Sequence, residues 1–298
     1  MLLALAYLGV IVIWSTTPLA IVWGASDDWF YAAVSRITLA AILVLPFLFI
    51  LKQSIPFSFQ SAAIKAYVVG AIPVALGMGI MFWVAQTLPS GWIALIFALA
   101  PLLTGIFAHF LLPNARLTKT KLLAVSISFY GLWIIFAPNL QLHLESAQLL
   151  AMLGGLLSVT FHAIGTVLVK RCGTYLPSLH IVVGSLWVSA LFFFLLDPPM
   201  LLDLSRWSAM GERAQLAVLY AAVVGSIIGF FLYYYLLKHM DAMKVALIPV
   251  ITPMFALALG HFFNNEALTM DVIMGAIIVI SGLLLFEWQG WRARKALK

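Results

Sequence analysis

The sequence predicts an all-α integral membrane protein of ten transmembrane helices, arranged as two inverted five-helix repeats. Three observations predict it. Hydrophobic residues make up 64% of the chain and charged residues 9%, against roughly a quarter charged in a soluble domain; a water-soluble fold would lack the polar surface to cover itself. Apolar runs close to the ~20 residues that cross a bilayer core recur along the chain. Finally, the two halves end as copies of one another. Ala94-Leu95-Ile96, Pro101 and His109-Phe110 return 152 positions later as Ala246-Leu247-Ile248, Pro253 and His261-Phe262. The register then slips by one, so that Leu117-Thr118 and Gly131 return as Leu268-Thr269 and Gly282, and upstream Gly77 matches Gly229. Leu and Ala coincide by chance in so apolar a chain, but Pro, His and Gly do not hold one register by chance.

The runs lie near 2–23, 30–51, 66–88, 91–112, 121–137, 147–169, 178–196, 215–237, 243–263 and 271–288. They are continuous rather than alternating, which favours helices over barrel strands. The run at 121–137 is short; Pro89-Ser90 divides the third from the fourth, and the stretch from Lys238 to Lys244 divides the eighth from the ninth. Five spans per copy is an odd number, so the second copy enters the membrane upside down. The expected units are repeats over 3–137 and 147–286 and a basic cytoplasmic tail over 287–298.

Charge sets the orientation. With the N-terminus in the cytoplasm, the inner loops hold Lys52, Lys65, Arg116, Lys119, Lys121, Lys170, Arg171, Lys238, Lys244, Arg292, Arg294, Lys295 and Lys298, whereas the outer loops hold only Arg206 and Arg213. Such a bias places both termini in the cytoplasm. Trp23 and Trp29 flank the first outer loop, and Trp288 and Trp291 end the last helix among basic residues, as interface anchors do. Because the net charge of +6 belongs to these loops, it does not point to nucleic acid. Leu2 opens an apolar run with no basic stretch ahead of it, so a first span is expected rather than a cleaved signal peptide. The single cysteine, Cys172, excludes an internal disulfide.

A span with a central Pro followed by a Leu-Thr helix start, the Trp14-Ser15 region of the first span, Arg36 in the second and Glu266-Ala267-Leu268-Thr269 after the ninth resemble the EamA repeat of the drug/metabolite transporter superfamily. The resemblance covers nearly the whole chain. It implies a transporter with a central cavity between the halves, in a bacterial inner membrane. One departure stands out: the acid expected in the first repeat is absent from Pro113-Asn114-Ala115-Arg116-Leu117 and survives only as Glu266. Arg36 and Glu266, both near outer ends of spans, are expected to form a gate or structural ion pair across the halves; the other reading of Arg36 is snorkelling to headgroups.

Helical spacing proposes the cavity lining. Ser158, His162 and Thr166 fall at i, i+4 and i+8 on an otherwise apolar helix, and polar groups avoid lipid. His162 is a candidate proton carrier, or else a neutral histidine bonding a backbone carbonyl. Met78 and Phe82 map through the repeat to Phe230 and Tyr234 and suggest opposite aromatic walls; Trp14 and Ser15 add the first span. Pro18, Pro101, Pro249 and Pro253 are candidate hinges, since a proline frees a carbonyl and bends its helix. Gly225 and Gly229 read as a packing face.

No carboxylate sits deep in any span, which disfavours a cationic cargo. The expected activity is secondary transport, as export by alternating access, of a small neutral or zwitterionic metabolite such as an amino acid. The alternatives are organic cations or drugs, and nucleotide-sugar-like anions. No metal-ligand spacing, nucleophile elbow or paired carboxylates occur within the spans, so neither an enzyme, a cofactor nor a metal is expected. The expected partners are the small-molecule substrate and the lipid bilayer, with the protein itself a monomer.

Overall fold

The computed structural model describes residues 2–50, 60–113, 115, 117–142, 146–172, 176–198, 200, 203–240 and 242–295. Among them are helices and connecting turns. Nine helices are long and apolar enough to cross a membrane: α1 (Leu2–Gly24), α2 (Trp29–Ile50), α3 (Ser61–Val84), α4 (Ser90–Leu111), α5 (Lys119–Leu142), α6 (Ser146–Cys172), α7 (Ser178–Leu196), α8 (Glu212–Leu237) and α10 (Met270–Lys295). A shorter apolar helix, α9 (Ile248–Asn264), lies between the last two. Leu5, Leu8, Val12, Phe49, Trp133, Leu195 and Ile277 stand exposed on the flanks, a surface that only hydrocarbon covers without cost.

The ninth apolar run is therefore shorter as a helix than the sequence suggests. Ala242–Val245 forms one turn of its own, and α9 restarts at Ile248 with Pro249 in its first turn, where a missing N–H costs no helical hydrogen bond. Tyr7 of α1 donates its hydroxyl to the Lys244 carbonyl at this break, at 3.0 Å. The fourth span breaks likewise: helix stops at Phe97 and resumes at Ala100, with Pro101 in the first turn of the new segment. Pro101 and Pro249 thus start helices, whereas Pro18 and Pro253 lie inside them. The repeat-related prolines, Pro101 and Pro253, occupy different positions in their helices because the second copy breaks earlier, ahead of its extra proline.

Two further irregularities come from neither turn nor loop. Ile72–Gly77 in α3 and Ala221–Ile228 in α8 are wound as π-helix, a wider winding that usually survives only where surrounding packing maintains it. The α3 segment packs against α6 and α7, and the α8 segment against α1 and α2.

Helices α5 and α10 form a close pair at one side of the bundle. Gly131, Gly275 and Gly282 let the two backbones touch: a Cβ on Gly131 would lie 2.7 Å from both the Gly275 carbonyl oxygen and the Val279 nitrogen. Ser128 Oγ donates to the Val279 carbonyl at 3.1 Å. Without a hydrophobic driving force between helices in lipid, such close contact and interhelical hydrogen bonding are what hold them. Gly131→Ala or Gly275→Ala should lower stability in detergent by about 1–3 kcal/mol through overpacking, read as a fall in the thermal midpoint. Gly79→Ala, whose Cβ would meet nothing nearer than 3.6 Å, should stay within about 0.5 kcal/mol of wild type.

Candidate functional site

Arg36 lies about 10 Å along α2 from Trp29, at 1.5 Å per residue, and is 5% exposed. Its guanidinium turns into the bundle and not towards headgroups. Nη2 donates to Ser226 Oγ of α8 at 3.3 Å, Nη1 points at Met78 Sδ of α3 at 3.7 Å, and the Phe82 ring centroid is 5.8 Å from Cζ. Ser226 in turn donates to the Ala221 carbonyl at 3.0 Å, within the π-helical segment. Gly225 keeps α8 bare beside it: a Cβ there would meet Thr17 Oγ1 at 3.3 Å and Arg36 Nη2 at 3.8 Å. Three helices, α2, α3 and α8, therefore converge on one buried cation, with Thr17 of α1 beside Gly225.

One turn along α8, Gly229 faces α1, where an added Cβ would lie 3.1 Å from Trp14 Nε1. Trp14 packs on Phe230 edge-on at 6.0 Å and on Tyr233 at 4.8 Å. The sequence-predicted Trp14, Phe230, Met78 and Phe82 thus belong to one neighbourhood, although Phe82 is fully buried and serves as a wall behind Arg36. Tyr234 lies on α8 by its backbone, and its side chain falls outside the described residues, as does that of Lys238. Ser15 and Thr38 hydroxyls are buried and have no hydrogen-bond partner among the described residues.

The predicted stripe on α6 divides. Ser158 is buried and donates to the Gly77 carbonyl of α3 at 2.6 Å, which answers an oxygen at the end of the π-helical turn. His162 lies edge-on to Phe97 at 5.9 Å, and its Nδ1 is buried with no hydrogen-bond partner among the described residues; the expected bond from that nitrogen to a carbonyl is not formed. Thr166 is exposed and bonds back to the His162 carbonyl at 2.8 Å, so it does not extend the stripe inward. Gly77 packs on Ser158 and His162 just as its repeat partner Gly229 packs on Ile13 and Trp14.

Arg36 and Glu266 do not pair. Glu266 accepts from the backbone N–H groups of Ser90 and Gly91 at 2.8 and 3.0 Å, and from Asn264 Nδ2 at 3.0 Å. It caps α4 from across a loop, where an acid balances the unpaired N–H groups and the positive end of the helix dipole. Asn264 Oδ1 accepts from Trp23 Nε1 at 2.9 Å, and Arg213 stacks on the Trp23 ring at 3.9 Å while donating to the Phe263 carbonyl at 3.3 Å. Asn265 turns the chain here with φ 51°. Alongside, Asp27 accepts from the Gly211 N–H at 2.8 Å and Asp28 pairs with Arg206 at 3.3 Å. The Ser205 hydroxyl and backbone N–H hold the Asp203 carboxyl below its ordinary range. The ends of α1 and α9 and the starts of α4 and α8 are stapled together on this face.

His109 and His261, the repeated histidines, each hydrogen-bond through Nδ1 a loop carbonyl, that of Ala115 at 3.0 Å and that of Glu266 at 2.8 Å. Sequence reasoning missed Ser226, Asn264 and Tyr233; only Ser226, beside the Gly225 and Gly229 face, had a signal in helical spacing. Of the orientation and tail residues, Lys52, Arg116, Asp241 and Lys298 and the side chains of Trp291, Arg292, Arg294 and Lys295 lie outside the described residues.

Glu266→Gln keeps one acceptor but removes the charge from the α4 cap. It should destabilise the protein by about 1–2 kcal/mol, the worth of a charge-assisted cap, seen as a lower thermal midpoint of the purified protein in detergent.

Comparison with known proteins agrees on a family. The EamA-like transporter family model matches twice, over residues 1–137 and 149–288. The chain is 22% identical over 288 residues to the uncharacterized transporter YoaV of Bacillus subtilis, covering 94% of this chain and 95% of that one. It is 25% identical over 223 residues to the protein PecM of Dickeya dadantii, covering 75% and 73%. Identity is 24% over 222 residues with the "Probable amino-acid metabolite efflux pump" of Escherichia coli, covering 71% of each. One crystal structure superposes with a TM-score of 0.64 at 18% identity, covering 98% of both chains, and so shares the fold. The protein is a multi-pass membrane protein that belongs to the EamA-like transporter family.

Proposed function

We propose that this protein is a secondary transporter that exports a small neutral or zwitterionic metabolite, such as an amino acid, by alternating access between two inverted five-helix repeats. The observation that carries this reading is the pair of π-helical segments. They fall at repeat-related places, Ile72–Gly77 and Ala221–Ile228, and each lies against the first two helices of the opposite repeat. Irregular winding is tolerated at membrane depth where it lines an interface or cavity, and rocking of one repeat against the other bends the chain at such points. The hinge prolines Pro18, Pro101, Pro249 and Pro253 supply the remaining compliance. Trp14, Ser15, Met78, Phe82, Ser158, His162, Phe230 and Tyr234 are the proposed lining, with Thr166 at its margin.

Cargo class is argued from charge. The buried polar residues are serines and Arg36, with no carboxylate among those described, so an organic cation would enter low dielectric without a counter-charge. The amino-acid metabolite assigned to the Escherichia coli relative in its name fits that electrostatics. Both termini face the cytoplasm on this reading, and the stapled face around Glu266 is the outer gate.

Transport into proteoliposomes of a labelled amino-acid mixture tests the function; uptake no faster than into protein-free vesicles would end it. Where a pH gradient accelerates uptake, His162→Ala should abolish the acceleration while leaving gradient-free exchange. Unchanged gradient dependence would remove His162 as the proton carrier. A green fluorescent protein fused after Lys298 should fluoresce, and alkaline phosphatase fused there should be inactive, if the C-terminus is cytoplasmic.

A further inference from the structure

We infer that Arg36 is the group that receives the cargo's carboxylate, which narrows the substrate class to small carboxylates, amino acids among them. The inference rests on the transport reading and adds to it a specific recognition contact.

Among the described residues, Arg36 has no acid in an ion pair with it. A guanidinium carries five N–H donors and is always protonated. Among the described residues Arg36 uses two of them, on a neutral hydroxyl and a thioether, the latter a weak acceptor at 3.7 Å. The flanking acids are engaged elsewhere: Asp27 by the Gly211 N–H, Asp28 by Arg206, Glu266 by the start of α4. Ion pairs among the described residues are those of Arg206 with Asp28 and Asp203. A buried cation without a counter-ion is costly unless function retains it, and structural arginines at such depth are ordinarily paired.

The surroundings fit a carboxylate better than they fit a structural role. Arginine presents a planar fork that matches two carboxylate oxygens at once. Phe82 lies to one side and holds the fork by its ring, 5.8 Å from Cζ. On the small face of α8, Gly225 stands beside the guanidinium and Gly229 beside Trp14 Nε1, the two glycines being about 6 Å apart along the helix. The Trp14 indole N–H, which donates no hydrogen bond among the described residues, is a second donor at the reach of a substrate's own polar group. Trp14, Phe230 and Tyr233 supply apolar surface beyond it. An inorganic anion would satisfy the charge but not the aromatic end.

Four probes that share a phenyl group separate the elements: L-phenylalanine and 3-phenylpropionate carry the carboxylate, phenethylamine and L-phenylalaninamide do not. Thermal unfolding of the purified full chain in detergent should show stabilisation by the two carboxylates and none by the other pair. Arg36→Gln should weaken that binding at least about tenfold, and Arg36→Lys, a point charge without the fork, by less. Circular dichroism and a monodisperse elution confirm that each variant folds; should Arg36→Gln not fold, the wild-type probe series decides alone. Equal stabilisation by phenethylamine, stabilisation retained in Arg36→Gln, or no stabilisation by any L-amino acid or monocarboxylate overturns the inference. So does an equal shift with sodium phosphate or chloride, which makes Arg36 a site for inorganic counter-ions. Proteoliposome uptake separates this from the transport reading. Carboxylate binding lost in Arg36→Gln without uptake by wild type defeats transport alone, and uptake equal in wild type and Arg36→Gln defeats the role of Arg36 alone.

Discussion

Hydrocarbon offers no hydrogen bonds, so wherever a helix in this protein breaks or ends below the surface, some neighbour must supply the missing partner. That constraint orders most of the polar residues described above. The start of α4 is capped by Glu266 from beyond α9, and the break before α9 is met by the Tyr7 hydroxyl of α1. The end of the π-helical turn in α3 is met by Ser158 of α6, and the Ala41 carbonyl of α2 accepts from Trp187 Nε1 of α7 at 2.9 Å. Each answer comes from a residue outside the helix it serves, so each such contact also ties two segments together.

The same constraint separates rigid from compliant regions. In α5 and α10 the segments around Gly131 and Gly275 are regular helix, and their glycines allow close approach. In α3 and α8 the regular ladder is interrupted: Ser158 of α6 meets the Gly77 carbonyl of α3 from a neighbouring helix, and Ser226 meets the Ala221 carbonyl within α8 itself. On the proposed alternating access, exchange of such partners lets α3 and α8 move without exposing bare carbonyls.

Much of this was legible in the sequence. The apolar runs gave the helices to within a few residues, and the paired recurrence of Gly77 with Gly229 and His109 with His261 marked positions that do equivalent jobs: the histidines each bond a loop carbonyl, and the glycines each admit the opposite first helix. What was not legible has a common cause. A sequence gives depth along a helix but not the direction a long side chain takes there. Arg36 sits near enough to an interface to snorkel, yet its stem bends inward to Ser226. Glu266 was the right acid with the wrong partner, since its partner is backbone N–H, which no residue type announces. The π-helical windings were hidden too, because Pro73 in one and Gly225 in the other are compatible with ordinary kinks, and the winding is maintained by packing from distant segments.

Arg36 joins the two themes. Its Nη2 donates to Ser226, and the same hydroxyl donates to the Ala221 carbonyl at the start of the π-helical segment of α8. On the proposed role of Arg36, a carboxylate seated on the Nη1–Nη2 edge of the fork bears on Nη2, the nitrogen from which Ser226 accepts. As a charged acceptor it outbids a neutral hydroxyl, since hydrogen bonds to ions are roughly twice as strong. On that role, Ser226 gives up the contact to Arg36, and the segment of α8 that lies against α1 and α2 is tied to the guanidinium less tightly. A ligand shifts a conformational equilibrium only through interactions that differ between the two states. On the proposed role of Arg36, the exchange of Ser226 for carboxylate is such an interaction, located where one repeat bears on the other. Recognition and movement then need no relay between them, because one hydroxyl takes part in both.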